Sequence, residues 1–238
     1  STNEEGIDSA GKNATITNSG TINGNSNGIL SNGTNATISN SGTITSKTGD
    51  GIHSVAAGAT ISNSNSGTIT STARYGIYSS GAGATISNSG TIKAANHGIY
   101  SKGLNSTITN SGHITGGTYA VRGGDADNLT LNLLKGSQLM GRIDLGGASD
   151  NDTVNIHGSG VSATLTFENT ENINLLGPGL KLNGNTVVLV DGTAEAARSA
   201  VMSNITSDIH GQIAQRTNQP GALKDVKVAS STLLPGMY

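Results

Sequence analysis

A short motif recurs through the first half of the chain with a nearly constant spacing. Gly-Ile-X-Ser begins at Gly6, Gly28, Gly51, Gly76 and Gly98, with successive spacings of 22, 23, 25 and 22 residues. A degenerate copy, Ala-Val-Arg, follows about one period later. A period in this range is typical of a solenoid, in which each unit packs only against its neighbours.

Each unit carries three isoleucines at regular positions. In the first unit these are Ile7, Ile16 and Ile22, and the later units keep the nine-residue step and then a step of six or eight. Alternating β-branched residues surround each isoleucine, and Gly, Asn and Ser separate the segments, which indicates three short strands and three turns. Stacked coils would pair these strands in parallel about 4.8 Å apart. The sequence therefore predicts an all-β fold, a right-handed parallel β-helix with 22–25 residues per coil.

The composition fits such a thin core. Only 33% of the residues are hydrophobic and 3% are aromatic, which is too few for a compact globular interior. The net charge of −2 with 12% charged residues also differs from the high charge of most disordered chains. A β-helix needs only one or two inward aliphatic residues per strand, so the remaining surface can be Ser, Thr, Asn and Gly.

A column of asparagines is predicted to turn inward at one corner, where amides of successive coils can hydrogen-bond. Its members are Asn18, Asn40, Asn63, Asn88 and Asn110. The third unit reads "ISNSNSGTI" and is two residues longer at this corner. We expect a local bulge there, with the flanking strands kept in register.

The pattern changes near residue 125 into longer aliphatic segments such as "LTLNLL" and "TVVLVD". We predict regular coils over residues 1–124 and a C-terminal cap of the β-helix over 125–190, because the last units of a solenoid need capping. An α-helix is predicted over 191–216, and 217–238 is expected to be an extended or disordered tail. The helix prediction depends on apolar residues four apart on one face, Val201, Ile205, Ile209 and Ile213.

Neither catalysis nor metal binding is favoured. The sequence has no "GDSGS"-type nucleophile motif, and five acids, Asp125, Asp127, Asp144, Asp150 and Asp152, are assigned to polar turns. The segment "GGASDNDTV" resembles one copy of a calcium-binding nonapeptide, but a structural turn is the favoured interpretation. The histidines are too dispersed to indicate a metal site. We therefore expect a protein that is not an enzyme and has no cofactor.

One interval is basic and aromatic. No Asp or Glu lies between Gly51 and Gly124, and the residue after each Gly-Ile should form an outward column that includes Tyr78 and Tyr100. The candidate binding residues are His53, Arg74, Tyr75, Tyr78, Lys93, His97, Tyr100, Lys102, Tyr119 and Arg122. Exposed Tyr and Arg are typical of binding hot spots, although stacked rings could also simply stiffen one sheet face. Such a surface suits a sulfated glycan or an acidic patch of a receptor, and nothing indicates a nucleic-acid module.

The order of these parts resembles the secreted passenger of a classical type V autotransporter. The matching features are the "SGTI" and "GI.S" coils, the segment "GRIDLGGASDNDTVNI", the strand-rich block after it and "VVLVDGTAEAARSAVMSNI". In that family the strand-rich block serves as an autochaperone, and the last segment looks like the linker helix before the translocator barrel. The resemblance implies a barrel partner after about residue 220, outside this chain.

The resemblance implies secretion through the outer membrane to the bacterial surface. The expected function is that of a non-enzymatic virulence factor that binds a host cell-surface receptor, as an adhesin or a receptor-activating ligand. A passenger of about nine to eleven coils is short, and in size and coil style it is similar to the Bartonella angiogenic-factor passengers, ligands of a vascular endothelial growth factor receptor. Self-association that aggregates bacteria through Asn and Thr ladders is the alternative, and a polysaccharide-acting enzyme is the third possibility.

Overall fold

The computed structural model describes residues 4–125, 128–147, 150–157, 163–177, 180–189, 202–203, 205–207 and 209–210. Three strands per coil stack in parallel on the equivalent strands of the next coil, which confirms the predicted β-helix. The first strands of the coils are β1 (Ile7–Ser9), β4 (Ile29–Ser31), β7 (Ile52–Ser54), β10 (Ile77–Ser79) and β13 (His97–Ser101). The second are β2 (Thr15–Asn18), β5 (Thr37–Asn40), β8 (Thr60–Asn63), β11 (Thr85–Asn88), β14 (Thr107–Asn110), β16 (Thr130–Leu133), β18 (Thr153–Ile156) and β20 (Asn172–Leu175).

The third strands are β3 (Thr21–Gly24), β6 (Thr43–Ser46), β9 (Thr68–Ser71) and β12 (Thr91–Ala94). Two longer strands, β15 (His113–Arg122) and β17 (Gln138–Asp144), span the corner between the third strand of one coil and the first strand of the next. The remaining strands are β19 (Ala163–Glu168), β21 (Leu180–Asn183) and β22 (Thr186–Leu189).

Isoleucine stacks on isoleucine through the interior, as the offsets predicted. Ile29 pairs with Ile52, and Ile38 pairs with Ile61, and all four are completely buried. The glycine before the first isoleucine is required by close packing: a Cβ on Gly28 would overlap Ile44 Cγ2 and lie 2.5 Å from the Gly51 carbonyl oxygen. The glycine thus lets the Ile44 side chain of the third strand pack directly against the backbone that leads into the first strand.

The asparagine column forms a buried ladder. Each amide Nδ2 donates to the Oδ1 of the next asparagine at 2.8 Å, from Asn18 through to Asn110. The longer third corner makes a turn in which the Gly67 N–H donates to the Ser64 carbonyl at 2.8 Å, and Asn63 still reaches the ladder. The strands on both sides keep their register, so the predicted bulge is confirmed.

The β-helix ends in a change of strand direction. Strands β16, β18 and β20 continue the parallel stack, whereas β22 pairs antiparallel with both β19 and β21. The second-strand sheet holds eight strands, so the stack is shorter than the nine to eleven coils expected. Strands β19, β21 and β22 form the antiparallel end, and the seven steps between the eight second strands of the described residues give a length of about 34 Å.

The chain divides into two compact units, residues 1–192 and residues 193–238. In the second unit, only a few residues are described. Its described residues, 202–203, 205–207 and 209–210, are helical, within the predicted range of 191–216. The rest of that range and the expected tail over 217–238 lie outside the described residues. No described helix is both long and apolar enough to cross a membrane.

Candidate functional site

Two columns of side chains flank the Gly-Ile pair on the first strand of each coil. The column after it has the predicted order, since Tyr78 pairs with His53 on one side and with Tyr100 on the other. Tyr100 then pairs with Arg122 and Arg122 with Asp144. The column before it contains Asn27, Asp50, Tyr75, His97 and Tyr119, linked by backbone hydrogen bonds and by pairing between coils.

Six rings from these columns meet in one cluster, which we call the aromatic face: His53, Tyr75, Tyr78, His97, Tyr100 and Tyr119. Tyr75 and His97 stack with centroids 4.7 Å apart and an interplanar angle of 18°. Tyr100 lies edge-on to Tyr75 at 5.3 Å and to Tyr78 at 5.6 Å. These separations are in the range of favourable aromatic pairs. Apart from the buried His97, the rings are partly exposed.

Three guanidinium groups lie over rings of the face. Arg74 Cζ is 5.0 Å from the centroid of Tyr75. Arg122 and Arg142 both approach Tyr119, at 4.9 and 4.8 Å. These distances permit cation–π attraction, which is stronger where water is partly excluded.

Carboxylates neutralise much of the positive charge that the sequence predicted. Asp50 is completely buried, and its Oδ2 lies 2.7 Å from His53 Nδ1 and its Oδ1 3.7 Å from Arg74 Nε. The interval without acids ends at Gly51, so Asp50 is just outside it and still packs against the face. The structure thus sets acids from neighbouring coils beside the arginines.

The same pairing occurs at the other end of the face. Arg122 Nη1 lies 2.6 Å from Asp144 Oδ2, and Arg142 forms an ion pair with Glu168. The pKa of Arg142 is raised, chiefly by its hydrogen bond to Glu168. Three arginines are therefore matched by three carboxylates, and the face is aromatic and ion-paired rather than simply basic.

The pKa of the buried His97 is lowered from its ordinary value. Burial lowers its pKa, a hydrogen bond to the backbone of Asn96 opposes this, and the charge of Arg122 lowers it further. Its Nδ1 is buried and has no hydrogen-bond partner in the described part of the chain. The ring is therefore held neutral and packed between Tyr75 and Tyr119.

Two of the predicted residues are not part of the face. Lys93 lies on β12, where it pairs with Thr70 and Thr115 on a different side of the coil. Lys102 follows β13 and is exposed, and its backbone N–H donates to the Ser79 carbonyl at 2.7 Å. The other candidates, among them Arg74 and Tyr75, lie together on the aromatic face.

A groove adjoins the aromatic face at the cap. It has a volume of about 560 Å³, and Thr118, Gly141, Arg142, Thr166 and Glu168 are among the residues that line it. Arg142 connects the two regions, because its Nη1 donates to Tyr119 Oη at 3.0 Å. The face therefore continues into a concave surface that both polar and apolar side chains line.

Sequence reasoning missed Asp50, Arg142, Asp144 and Glu168 as members of this site. The spacing could have indicated Arg142, because it lies 23 residues after Tyr119, within the range of one coil, and pairs with it. The spacing is obscured because the register of β15 and β17 shifts between Thr115 and Tyr119 and again before Val121. Asp144 was assigned to a turn, but it is the buried last residue of β17.

The remaining acids divide into two groups. Asp125 is exposed, and Asp127 lies outside the described residues. Asp150 and Asp152 are buried in the cap, and a carboxylate oxygen of each lies within 4.8 Å of one of Glu171. Their assignment to polar turns therefore does not account for their burial or for their proximity to Glu171.

No protein-family model, curated protein or solved structure matches this chain.

Proposed function

We propose that this chain is the non-enzymatic passenger of a bacterial autotransporter, displayed or secreted, and that it binds a host cell-surface receptor through the aromatic face. The observation that carries the proposal is the meeting of six rings from four successive coils on one side of the β-helix. Aromatic residues and arginine are the side chains most enriched in binding hot spots. The chain would then act as an adhesin or as a ligand that activates the receptor, including a pro-angiogenic ligand.

Stiffening of the sheet explains the rings less well than binding does. The same outward column carries Asp8 and Leu30 in the first two coils, and their strands pair in the same register as those with rings. The coil geometry therefore does not depend on aromatic residues at this position. Among the described residues of these two columns, rings occur only on the coils from His53 to Tyr119, which is what a localised contact surface requires.

The ion pairs favour a protein receptor over a sulfated glycan. Arg122 and Arg142 already have carboxylate partners, so a sulfate would have to compete with Asp144 and Glu168. A receptor surface with both apolar and polar groups can use the rings and leave the ion pairs intact.

The test is saturable binding of the purified chain to cultured endothelial cells. Tyr78→Ser with Tyr100→Ser should weaken binding by at least about ten-fold. Leu30→Ser is the matched control, because it changes the same outward column two coils before Tyr78 and three coils before Tyr100. Binding by the folded double variant equal to that of the unchanged chain would refute the proposal.

A second comparison separates rings from charge. Lys93→Glu with Lys102→Glu adds negative charge without altering a ring contact, and we expect it to leave receptor binding nearly unchanged. A large loss in this variant, together with competition by heparin, would instead support an anionic glycan as the partner. Reversing the charge at Arg122 is a poorer test, because it would also break the pair with the buried Asp144.

Self-association is the alternative function, and the structure leaves fewer side chains for it than the sequence suggested. The asparagine ladder is buried, so its amides cannot interlock with those of another molecule, and only the outward threonine columns are available. A monomer by analytical ultracentrifugation at micromolar concentration supports the receptor proposal. Dimers or aggregates without host cells would support self-association.

A further inference from the structure

The cap brings three carboxylates together at a place that the aromatic face does not use. Asp150 and Asp152 precede β18, and Glu171 precedes β20 in the next coil. One carboxylate oxygen from each lies within 4.8 Å of the other two. Asp150 is 7% exposed and Asp152 is completely buried, whereas Glu171 is exposed.

Backbone N–H groups satisfy some of the carboxylate oxygens. Asp150 Oδ2 accepts from the Gly147 N–H at 3.1 Å, and Asp152 Oδ1 accepts from the Leu129 N–H at 2.5 Å. Glu171 Oε2 accepts from the Asp152 N–H at 2.9 Å. These contacts hold the acids of two coils in fixed positions.

One carboxylate oxygen of Asp150 lacks a hydrogen-bond donor within the described part of the chain. Asp150 Oδ1 is buried, and no described residue gives it a hydrogen bond. Burying a carboxylate oxygen without a donor or a cation is costly, so such an atom indicates that a ligand completes the site. Beside it, a Cβ on Gly147 would overlap the Asp125 carbonyl oxygen and lie 3.0 Å from Asp150 Oδ2, so glycine lets this carbonyl approach.

We infer that Asp150, Asp152 and Glu171 form a calcium site. Calcium binds oxygen ligands at about 2.3 to 2.6 Å, so two ligand atoms of one ion are at most about 5 Å apart, which fits the observed cluster. The candidate donors are all oxygen atoms, whereas zinc and copper favour nitrogen and sulfur. Calcium also tolerates irregular coordination, unlike magnesium, which requires near-octahedral geometry and keeps several waters.

The site would connect three coils of the cap. Asp152 already contacts the backbone of Leu129, just before β16, and Glu171 lies just before β20. An ion shared by Asp150, Asp152 and Glu171 would add a link across this stack, and so would stabilise the end of the β-helix. The sequence motif could not reveal this, because Glu171 belongs to the next coil and not to "GGASDNDTV".

The experiment measures calcium binding by the full chain with radioactive calcium in equilibrium dialysis, alongside thermal unfolding in a chelator, in calcium and in magnesium. We expect one bound calcium ion and a rise of about 3 °C or more in the unfolding midpoint at about 1 mM calcium. Magnesium at the same concentration should give a clearly smaller rise.

Two variants locate the ion. Glu171→Gln changes an exposed side chain and should fold normally, and we expect it to weaken calcium binding at least about ten-fold. Asp150→Asn should do the same. Asp8→Asn, an exposed acid of the first coil, is the control and should bind calcium like the unchanged chain.

Absence of calcium binding by the unchanged chain would overturn the inference. Equal binding by Glu171→Gln and the unchanged chain would also overturn it, because the ion would then lie elsewhere. A midpoint rise in magnesium as large as in calcium would overturn the assignment to calcium.

Discussion

The regular coils of residues 4–124 and the cap of residues 125–189 stack by the same parallel pairing but fill their interiors differently. In the coils, the central isoleucines are completely buried and an asparagine ladder runs beside them. In the cap, the ladder position becomes aliphatic, since Asn110 pairs with Leu133 and Leu133 with Ile156. The cap also leaves Met140, Leu176, Leu182 and Val188 exposed.

The difference follows from the number of neighbours that each coil has. An inner coil is covered on both sides, so a single column of isoleucine is sealed and each amide finds a partner above and below. The ladder ends at Asn110, whose Nδ2 donates to the Gly112 carbonyl at 2.9 Å, and the last coil has no next coil to cover it. Larger aliphatic residues and the antiparallel strands β21 and β22 solve this at the cost of some exposed apolar surface.

The largest contrast between the regions should come from a core truncation. Ile86→Ala removes a completely buried side chain between Ile61 and Ile108, and we expect a loss of about 3 to 4 kcal/mol in the free energy of unfolding. Leu182→Ala in the cap removes a side chain that is 45% exposed and should cost less than about 1 kcal/mol. Urea unfolding followed by circular dichroism measures both, and equal losses would contradict the contrast.

A substitution in the middle of the asparagine ladder should destabilise the chain more than a substitution at its end. Asn63→Leu removes the partner of both Asn40 and Asn88, and we expect a loss of about 2 to 3 kcal/mol in the free energy of unfolding. Asn110→Leu removes the partner of Asn88 alone and places leucine beside Leu133, so its cost should be about half as large. The same urea measurement applies, and a larger cost at Asn110 would reverse this interpretation.

Loss of the ion pair between Arg122 and Asp144, at the junction of coils and cap, should lower the free energy of unfolding moderately. Asp144→Asn leaves Arg122 without its charged partner, and we expect a loss of about 1 to 2 kcal/mol. Asp144 also accepts from the Asn169 side chain at 3.0 Å, a contact that the variant amide oxygen can keep. Glu168→Gln, whose pair with Arg142 is more exposed, is the control and should cost less than about 0.5 kcal/mol in urea unfolding.

The smallest effect should be a pH dependence that originates in the coils. The pKa of His97 is lowered in the folded chain, so the unfolded chain binds the proton more readily. Stability should therefore decrease as the pH falls below the ordinary histidine pKa of about 6.5 and level off once the folded chain is protonated too.

Thermal unfolding between about pH 7 and pH 5 measures this slope. His97→Gln should flatten it, whereas His113→Gln, which changes an exposed residue at the start of β15, should leave it as in the unchanged chain. An unaltered slope in His97→Gln would assign the pH dependence to another group.

Much of the coil region was predictable because each coil repeats one local rule. The nine-residue step from Ile7 to Ile16 recurs in later units, so the strands, their inward faces and the asparagine column could be derived from spacing. The outward column of Tyr78 and Tyr100 followed from the same alternation. The cap was less predictable, because its strands lack that period and its last strands turn antiparallel.

The sequence by itself determined the period, the stacking register and the residues that fill the thin core, because parallel coils align equal positions on each other. Only the tertiary structure decided the charge of the aromatic face and the neighbours of the cap acids. Asp50, Asp144 and Glu168 lie far apart in sequence yet meet the arginines, and Glu171 joins Asp150 from the next coil. Such contacts are made by side chains that extend from one column or coil to another. The repeat determines where the backbone of each residue lies, but it does not determine which side chain the residue will contact.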